Sequence, residues 1–357
     1  VPVNPEGWSE DPFGGELVDG WVWGRGAVDM LNLTATMAVA VRRLASSGWR
    51  PKGTLIYLAV ADEEGGGHHG AEWLVDHERD AVCADYAITE SGGIPTATPS
   101  GLRLNLTACE KGLAGCRIRV RGTPGHGSRP LRTDNAVVKA AEVVRRIHAY
   151  RPVSHVNEIW RRYAKGLGLA PELSDVDAVW DACQEMADVR LARLVHACTH
   201  TTFSPNVIMG GSKINVIPDV VDIEVDCRTL PGQTTEDVRA MLTEALGPMA
   251  EEAEITFYLE GRSTQSSTDT PLWPVLEEVA GSLHPGARLV PAMTTGATDA
   301  RFFREQGIPT YGFGLMSRDM TLEQFSSMFH GNDERVDVES LRLSTELWER
   351  VARRFLG

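Results

Sequence analysis

Carboxylates and one imidazole recur in four short, glycine-flanked segments: Gly24-Arg25-Gly26-Ala27-Val28-Asp29-Met30, Ala61-Asp62-Glu63-Glu64-Gly65-Gly66-Gly67, Thr89-Glu90-Ser91-Gly92-Gly93 and Met328-Phe329-His330-Gly331-Asn332. Carboxylate oxygens and imidazole nitrogens are donors that zinc and similar divalent ions accept. Asp29, Glu64, Glu90 and His330 are therefore candidate metal ligands, and Glu63, next to a ligand but facing the other way, is a candidate general base. The chemistry such a set would perform is attack on an amide by metal-activated water. Each segment also has a plainer reading. The Gly-Arg-Gly turn could end in a helix-capping aspartate, Asp62-Glu63-Glu64 before three glycines could be a solvated loop, and a lone histidine in a Phe-His-Gly turn is often structural. Their conjunction singles them out, because every one falls at a strand end or loop of the same predicted α/β unit.

The elements that must position these groups can be traced from periodicity. Met30 to Ala45 reads as a helix with an apolar stripe at Met37, Val41 and Leu44, stopped by Ser46-Ser47-Gly48. Thr54 to Val60 is a continuous apolar run, as in a buried parallel strand, and delivers Asp62-Glu63-Glu64 at its carboxyl end. A helix begins at Ala71, and Tyr86 to Thr89 is a short strand ending at Glu90. From Gly112 the pattern changes, since Cys116 to Gly122 alternates apolar and charged residues as in an antiparallel strand with one wet face. Further strands are expected at Asn206–Ile208, Ile214–Ile217, Val221–Cys227 and Glu254–Leu259, with helices at Asn135–Ile147 and Glu236–Leu246. Strands with two helices on one face describe an α+β sandwich. From Pro271 the α/β pattern returns, with a helix at Leu272–Leu283, a strand at Thr310–Gly314 and a helix at Val338–Phe355. The expected fold is α/β, with a catalytic domain in two parts (1–111 and 263–357) and an inserted domain at 112–262. Arg151 to His200, rich in Trp, Arg and Asp, reads as an extra helical excursion of the insertion.

Composition bounds the partners. At 357 residues and 42% hydrophobic content the chain exceeds a usual single core. A net charge of -14 and a pI near 5.2 argue against nucleic acid or an anionic membrane as partner. No apolar run approaches the roughly 18 residues of a membrane span, and Val1-Pro2-Val3-Asn4-Pro5 forms no signal peptide. The six cysteines are widely spaced without a C-x-x-C pair, which suggests reduced thiols and a cytoplasmic setting.

With these motifs assembled, the chain resembles the co-catalytic zinc amidohydrolases and metallopeptidases that include aminoacylase, acetylornithine deacetylase, succinyl-diaminopimelate desuccinylase and glutamate carboxypeptidase. The resemblance implies a phosphorylase/hydrolase-like catalytic domain with a mixed sheet, carrying an inserted ferredoxin-like α+β lid or dimerisation domain. It implies two divalent ions, zinc or in its place cobalt or manganese, with Asp29 bridging them, Glu64 and His330 on the first, Glu90 on the second and Glu63 as general base. Gly125-His126-Gly127-Ser128 matches the family's Gly-His motif, whose imidazole stabilises the oxyanion. Asn215 and Arg228 match positions that bind the substrate carboxylate, and Gly296, Thr298 and Asp299 match a loop that contacts substrate beside the metals. Arg262 is a further candidate anion contact, with a surface salt bridge as its plainer alternative.

The family's remaining ligand, the histidine of a His-x-Asp motif placed ahead of a Val-Pro turn, is not found, because the sequence opens on Val1-Pro2-Val3-Asn4. The expectation is that the first strands and that motif are missing from this sequence, or that the second metal is held by Asp29, Glu90 and water alone. The reading is a metal-dependent amidase or peptidase acting on a small N-acyl amino acid or short peptide with a free carboxylate, assembled as a homodimer. A catalytically silent relative that binds metabolites or partners through the same cleft is the alternative.

Overall fold

The computed structural model describes residues 1–357. Its larger sheet is built around the strand Gly101–Glu110, with Thr264–Gln265 on one side, Thr310–Gly312 and then Ala87–Thr89 on the other, and Arg288–Thr294 and Pro95–Thr98 paired to it as well. The sheet is mixed, since Arg288–Thr294 runs parallel to the Gly101 strand and Thr310–Gly312 parallel to Ala87–Thr89, while Pro95–Thr98 and Thr264–Gln265 run antiparallel. Helices Leu31–Ser46, Leu272–Leu283 and Val338–Leu356 cover it, contributing Leu33, Ala40, Leu276, Val279, Leu343 and Leu347 to the main apolar core.

The Gly101 strand carries the sheet and yet escapes the periodicity reading. Leu102, Leu104 and Leu106 alternate with Arg103 and Asn105, but the alternation stops at Leu106, beyond which every residue to Glu110 is buried. The parallel strand at Arg288–Thr294 escapes as well, because Pro291 sits within it.

At Glu110 the chain leaves this sheet, passes through Lys111 and enters a four-stranded antiparallel sheet in the order Ala253–Gly261, Gly112–Arg121, Val220–Thr229, Thr202–Gly210. Alternate residues of its strands, including Cys116, Ile118, Val120, Val221, Ile223 and Val225, are buried under helices Ala136–Ala149 and Thr235–Leu246, forming a second core. Each helix starts where the sequence provides a cap. Asn135 accepts from the amide of Val137, and Thr234 with Asp237 forms a reciprocal capping box. Lys111 is buried at the crossing, where its ammonium donates to the carbonyls of Ala197 (2.8 Å) and His200 (2.7 Å) at the end of helix Val189–Thr199. A cation there meets the negative end of the helix.

Two expectations are corrected. Arg151 to His200 is helical, at Glu158–Leu167, Val179–Glu185 and Val189–Thr199, but its buried side chains Ile159, Trp160, Ala164, Val179, Val195 and Cys198 join the larger core, not that of the four-stranded sheet. Thr54 to Val60 is not a strand. A strand needs a ladder on at least one side. The sheet edge at Ala87–Thr89 pairs only with Thr310–Gly312, and a cavity of about 570 Å³ is lined both by Thr54–Val60 and by Ala84–Glu90. Of the expected stripe, Leu44 is buried along with Leu33, Thr36 and Ala40, whereas Met37 and Val41 are half-buried; Met37, Ala40, Val41 and Leu44 all line this cavity. All six cysteines are free, and no helix is long and apolar enough to cross a membrane.

Candidate metal centre

Four loops converge at the end of the larger sheet. The Gly24–Asp29 turn is tight: Gly26 adopts a φ of 84°, and the Ala27 amide reaches back to the Gly24 carbonyl at 3.0 Å. It sets Asp29 just ahead of helix Leu31–Ser46. Glu63 and Glu64 lie on one turn of 3₁₀ helix organised by Asp62, whose carbonyl accepts from Gly65 and Gly67 and whose carboxylate accepts from the His69 amide at 2.9 Å. Glu90 follows strand Ala87–Thr89 directly. Behind it Gly92 has φ 83°, and a Cβ there would press on the carbonyl oxygens of Gly312 and Asn105 at 2.7 and 2.8 Å, so the chain can turn this close to the sheet only with glycine. His330 sits in a left-handed turn, φ 57°, after helix Leu322–Met328.

These loops bring together the residues singled out from sequence. His330 Nε2 lies 2.9 Å from Asp29 Oδ2 and 3.4 Å from Glu64 Oε1. The ligand atoms of Asp29, Glu64 and His330 all fall within 4.8 Å of one another, with Asp29 nearly buried and the other two open to the cleft. Glu63 and Glu90 complete the cluster, close enough for the Glu63 charge to act on the Glu90 carboxyl. Burial, and then the charge of Asp299, push Glu63 up to about 7, with Glu64 and Asp29 adding to the effect. Burial and the charges of Glu63 and Asp29 drive Glu90 higher still. Asp299 is raised to about 6 by burial, against the nearby charge of Arg301.

Such a cluster suits a cation. No lysine or arginine pairs with Asp29, Glu63, Glu64 or Glu90, and buried carboxylate oxygens on Glu90 (Oε1) and Asp299 (Oδ1) have no hydrogen-bond partner. Burying uncompensated carboxylates is costly. A divalent ion among them supplies the missing charge and favours their ionised forms. The donor set is oxygen and nitrogen with no thiolate, which fits zinc, cobalt or manganese.

The remaining candidates are spread over two regions. His126 lies on the two-residue strand Gly125–His126, paired with Val216–Ile217, and the Gly127 amide donates to the Asn215 carbonyl at 2.8 Å, so His126 and Asn215 are neighbours. The His126 ring is exposed, with Nδ1 2.7 Å from the Ser128 hydroxyl. Arg228, on strand Val220–Thr229, is paired with Asp226 at 2.7 Å. Arg262 is exposed between Gly261 and the next strand, and Gly296 is exposed in the loop after Thr294. The Thr298 hydroxyl and amide are both engaged by Glu110 Oε2, at 3.0 and 2.8 Å. None of His126, Asn215, Arg228 and Arg262 shares a hydrogen bond or ion pair with the acid cluster. Sequence reasoning passed over Asp62, Glu110 and Glu334, whose carboxylates hold the loops of the site. No local pattern marks Glu110 or Glu334, whose partners lie far along the chain.

Comparison with known proteins fits this geometry. The profile described as Peptidase family M20/M25/M40 matches residues 1–354. Human aminoacylase-1 is 28% identical over 356 residues, covering 98% of this chain and 76% of its own length. Succinyl-diaminopimelate desuccinylase of Paracoccus denitrificans is 26% identical over 363 residues, covering 100% of this chain and 80% of its own. Among solved structures, an M20 family metallo-carboxypeptidase from Sulfolobus solfataricus superposes with a TM-score of 0.71 at 18% identity, covering 99% of this chain and 82% of that one, which shows a shared fold. A match along nearly the whole chain, with the convergence of acids and imidazole, places this protein in peptidase family M20/M25/M40, as a hydrolase of amide or peptide bonds.

Proposed function

We propose that the protein hydrolyses a small N-acyl amino acid or short peptide with a free carboxylate, in a metal-dependent reaction with Glu63 as general base. The observation that carries this is the juxtaposition of Asp29, Glu64 and His330 beside a Glu63 carboxyl held near neutrality. Asp29, Glu64 and His330 would hold one divalent ion and Asp29 with Glu90 a second, zinc being the natural choice for this donor set. When bound, such ions lower the pKa of water and polarise the scissile carbonyl. Glu63 takes the proton from the attacking water and delivers it to the leaving nitrogen, the role of a general base beside the ligands. His126 donates to the developing oxyanion through the Nε2 that its Ser128 contact leaves free. Asn215 and Arg228 receive the substrate carboxylate, with Arg262, Gly296 and Thr298 around it. An aminoacylase, a desuccinylase and a carboxypeptidase among the similar proteins support this substrate class.

In this reading residues 1–111 and 263–357 form the catalytic domain, the helices of Arg151 to His200 pack on its core, and the rest of the 112–262 insertion forms a lid that carries His126 and Arg228 to the metals and joins two copies of the chain. The two open edges of its sheet, Ala253–Gly261 and Thr202–Gly210, support a homodimer. A cytoplasmic setting agrees with the six free thiols. The test is to strip the purified protein with a chelator, return zinc, cobalt or manganese singly, and assay N-acyl amino acids and dipeptides against their amidated counterparts. Hydrolysis that is unaffected by chelation would sink the metal reading, and equal rates on amidated substrates would sink the carboxylate preference.

A further inference from the structure

The geometry points to Glu334 as the positioning residue of the metal centre: its wholly buried carboxylate locks the loops that carry Asp29 and His330 into one arrangement. This rests on the reading above that Asp29, Glu64 and His330 bind a divalent ion.

Glu334 is 0% exposed, and four donors from the Asp29 loop converge on it. Oε2 accepts from the Gly26 amide at 2.9 Å and from Arg25 Nη1 at 2.7 Å, and Oε1 accepts from the amides of Val28 at 2.8 Å and Asp29 at 3.1 Å. Its own carbonyl accepts from the Gly24 amide at 3.0 Å. One side chain thus satisfies three of the turn's amides, those of Gly26, Val28 and Asp29, that would otherwise lack partners away from water. The same side chain belongs to the loop of His330, four residues back in the chain. Arg25, lying against the Trp8 ring, closes the loop by reaching the His330 carbonyl with Nη2 at 3.4 Å while Nη1 holds Glu334. The two ligands are some three hundred residues apart in sequence, yet His330 Nε2 meets Asp29 Oδ2 at 2.9 Å. The Glu334 cradle fixes the backbone on both sides of that contact. It makes no contact with the ligand atoms, so it acts through them.

Groups that orient metal ligands typically matter by about 10- to 100-fold in metal affinity. Glutamine at this position keeps the shape but presents an NH₂ to a site of donors, leaving at least one amide and the Arg25 charge uncompensated. The experiment titrates metal-free wild type, Glu334→Gln, Arg25→Met and Leu347→Ala with zinc against a chromogenic chelator, and records the absorption bands of the cobalt-loaded proteins. Leu347 is buried in the main core on the terminal helix, so its truncation lowers stability without touching the cradle. The expected result is a zinc Kd raised by about 10- to 100-fold in Glu334→Gln, a weaker change in the same direction in Arg25→Met, and altered cobalt bands in both, while Leu347→Ala melts earlier with an unchanged Kd. A folded Glu334→Gln protein with wild-type zinc affinity and cobalt spectrum overturns the proposal, as does a Leu347→Ala protein that loses affinity to the same degree. Should Glu334→Gln fail to fold, Arg25→Met carries the decision, and wild-type affinity in that variant overturns it. Wild-type protein that binds neither ion overturns the metal reading itself, and does so before any variant is compared.

Discussion

Arg304 Nη1 lies 3.2 Å from Glu110 Oε1, with both side chains almost sealed from water. Arg304 also donates to the Thr310 carbonyl from Nε at 3.0 Å and Nη2 at 2.9 Å, and Glu110 accepts from the Thr264 hydroxyl at 2.7 Å and from Thr298. The pair therefore ties the central strand of the larger sheet, at the point where the chain leaves for the smaller one, to the loop that presents Asp299 to Glu63. A buried ion pair adds little over an apolar replacement of both partners, but removing one partner strands a charge. Arg304→Met should lower unfolding free energy by about 3–5 kcal/mol. Denaturant titration checks this, and a change below about 1 kcal/mol, the scale of an exposed pair, would show that Glu110 finds another partner.

Part of this cluster was legible in the sequence because its groups lie on local turns with glycine beside them: Asp29, Glu64 and His330 come together and Glu90 follows its expected strand, although the strand expected ahead of Glu63 and Glu64 is not formed. The groups that hold those turns were not legible. Glu110 and Glu334 act through partners roughly 190 and 305 residues away, as in Glu110 with Thr298 and Glu334 with Asp29, and no local pattern records such pairings. The same limit explains Thr54 to Val60. Its apolar composition specifies burial, whereas strand formation depends on a neighbour that periodicity cannot supply. Helices with an apolar face, such as Leu272–Leu283 and the Asn135-capped Ala136–Ala149, were found almost to the residue.

Glu63→Gln should retain its metal and lose turnover by about 10²- to 10⁴-fold, the usual contribution of a positioned base. Glutamine preserves the side-chain volume and keeps Asp29, Glu64, Glu90 and His330 in the chain, while removing the charge that bears on Glu90. The measurement is kcat at saturating substrate together with metal content by elemental analysis. A variant with near-normal kcat and full metal would remove Glu63 from proton transfer. A variant that loses its metal would instead make Glu63 part of the binding set.

Acid should destabilise the protein through the imidazole of His200. The residue is fully buried, its ring stacked on His196 at 4.8 Å with Trp180 edge-on. The Thr199 hydroxyl donates to the Val195 carbonyl, so it accepts from His200 Nδ1–H, and Nε2 is left to accept from the Ser154 hydroxyl at 2.9 Å. A neutral ring is thereby satisfied, and burial, with the neighbouring His196 next, holds its pKa down at about 4. The unfolded chain takes up this proton near pH 6.5, an ordinary histidine value of about 6.5. Between those limits the unfolded state binds more protons, so stability rises with pH. The contribution is fully present above about pH 6.5 and drains away as pH falls toward 4, in total on the order of 3 kcal/mol. His200→Gln, which keeps a donor and an acceptor but does not titrate, should flatten the acid limb of a stability–pH curve measured by denaturant titration. An unchanged slope between pH 6.5 and 4 would assign the acid sensitivity elsewhere.

The apolar cavity beside Thr54–Val60 should make the 357-residue chain bind hydrophobic dyes while still folded. Met37, Val41, Leu44, Ile88, Val351 and Phe355 line it, and the adjoining Leu55 and Ile56 are exposed, a concentration of apolar surface that folded chains rarely leave open. Dye binding alone does not separate a preformed cavity from loose packing, because a molten globule also binds such dyes. The two differ in cooperativity. With a preformed cavity, anilinonaphthalene sulfonate fluorescence should be present in protein that retains near-UV circular dichroism, and both signals should vanish in a single thermal transition. Val41→Asp places a charge on the cavity wall at a half-buried helix position, so it should weaken dye binding while zinc affinity at Asp29, Glu64 and His330 stays as in wild type. Absence of dye fluorescence in folded protein would mean that the walls close on one another in solution. Fluorescence that persists unchanged in Val41→Asp would place the dye at another surface.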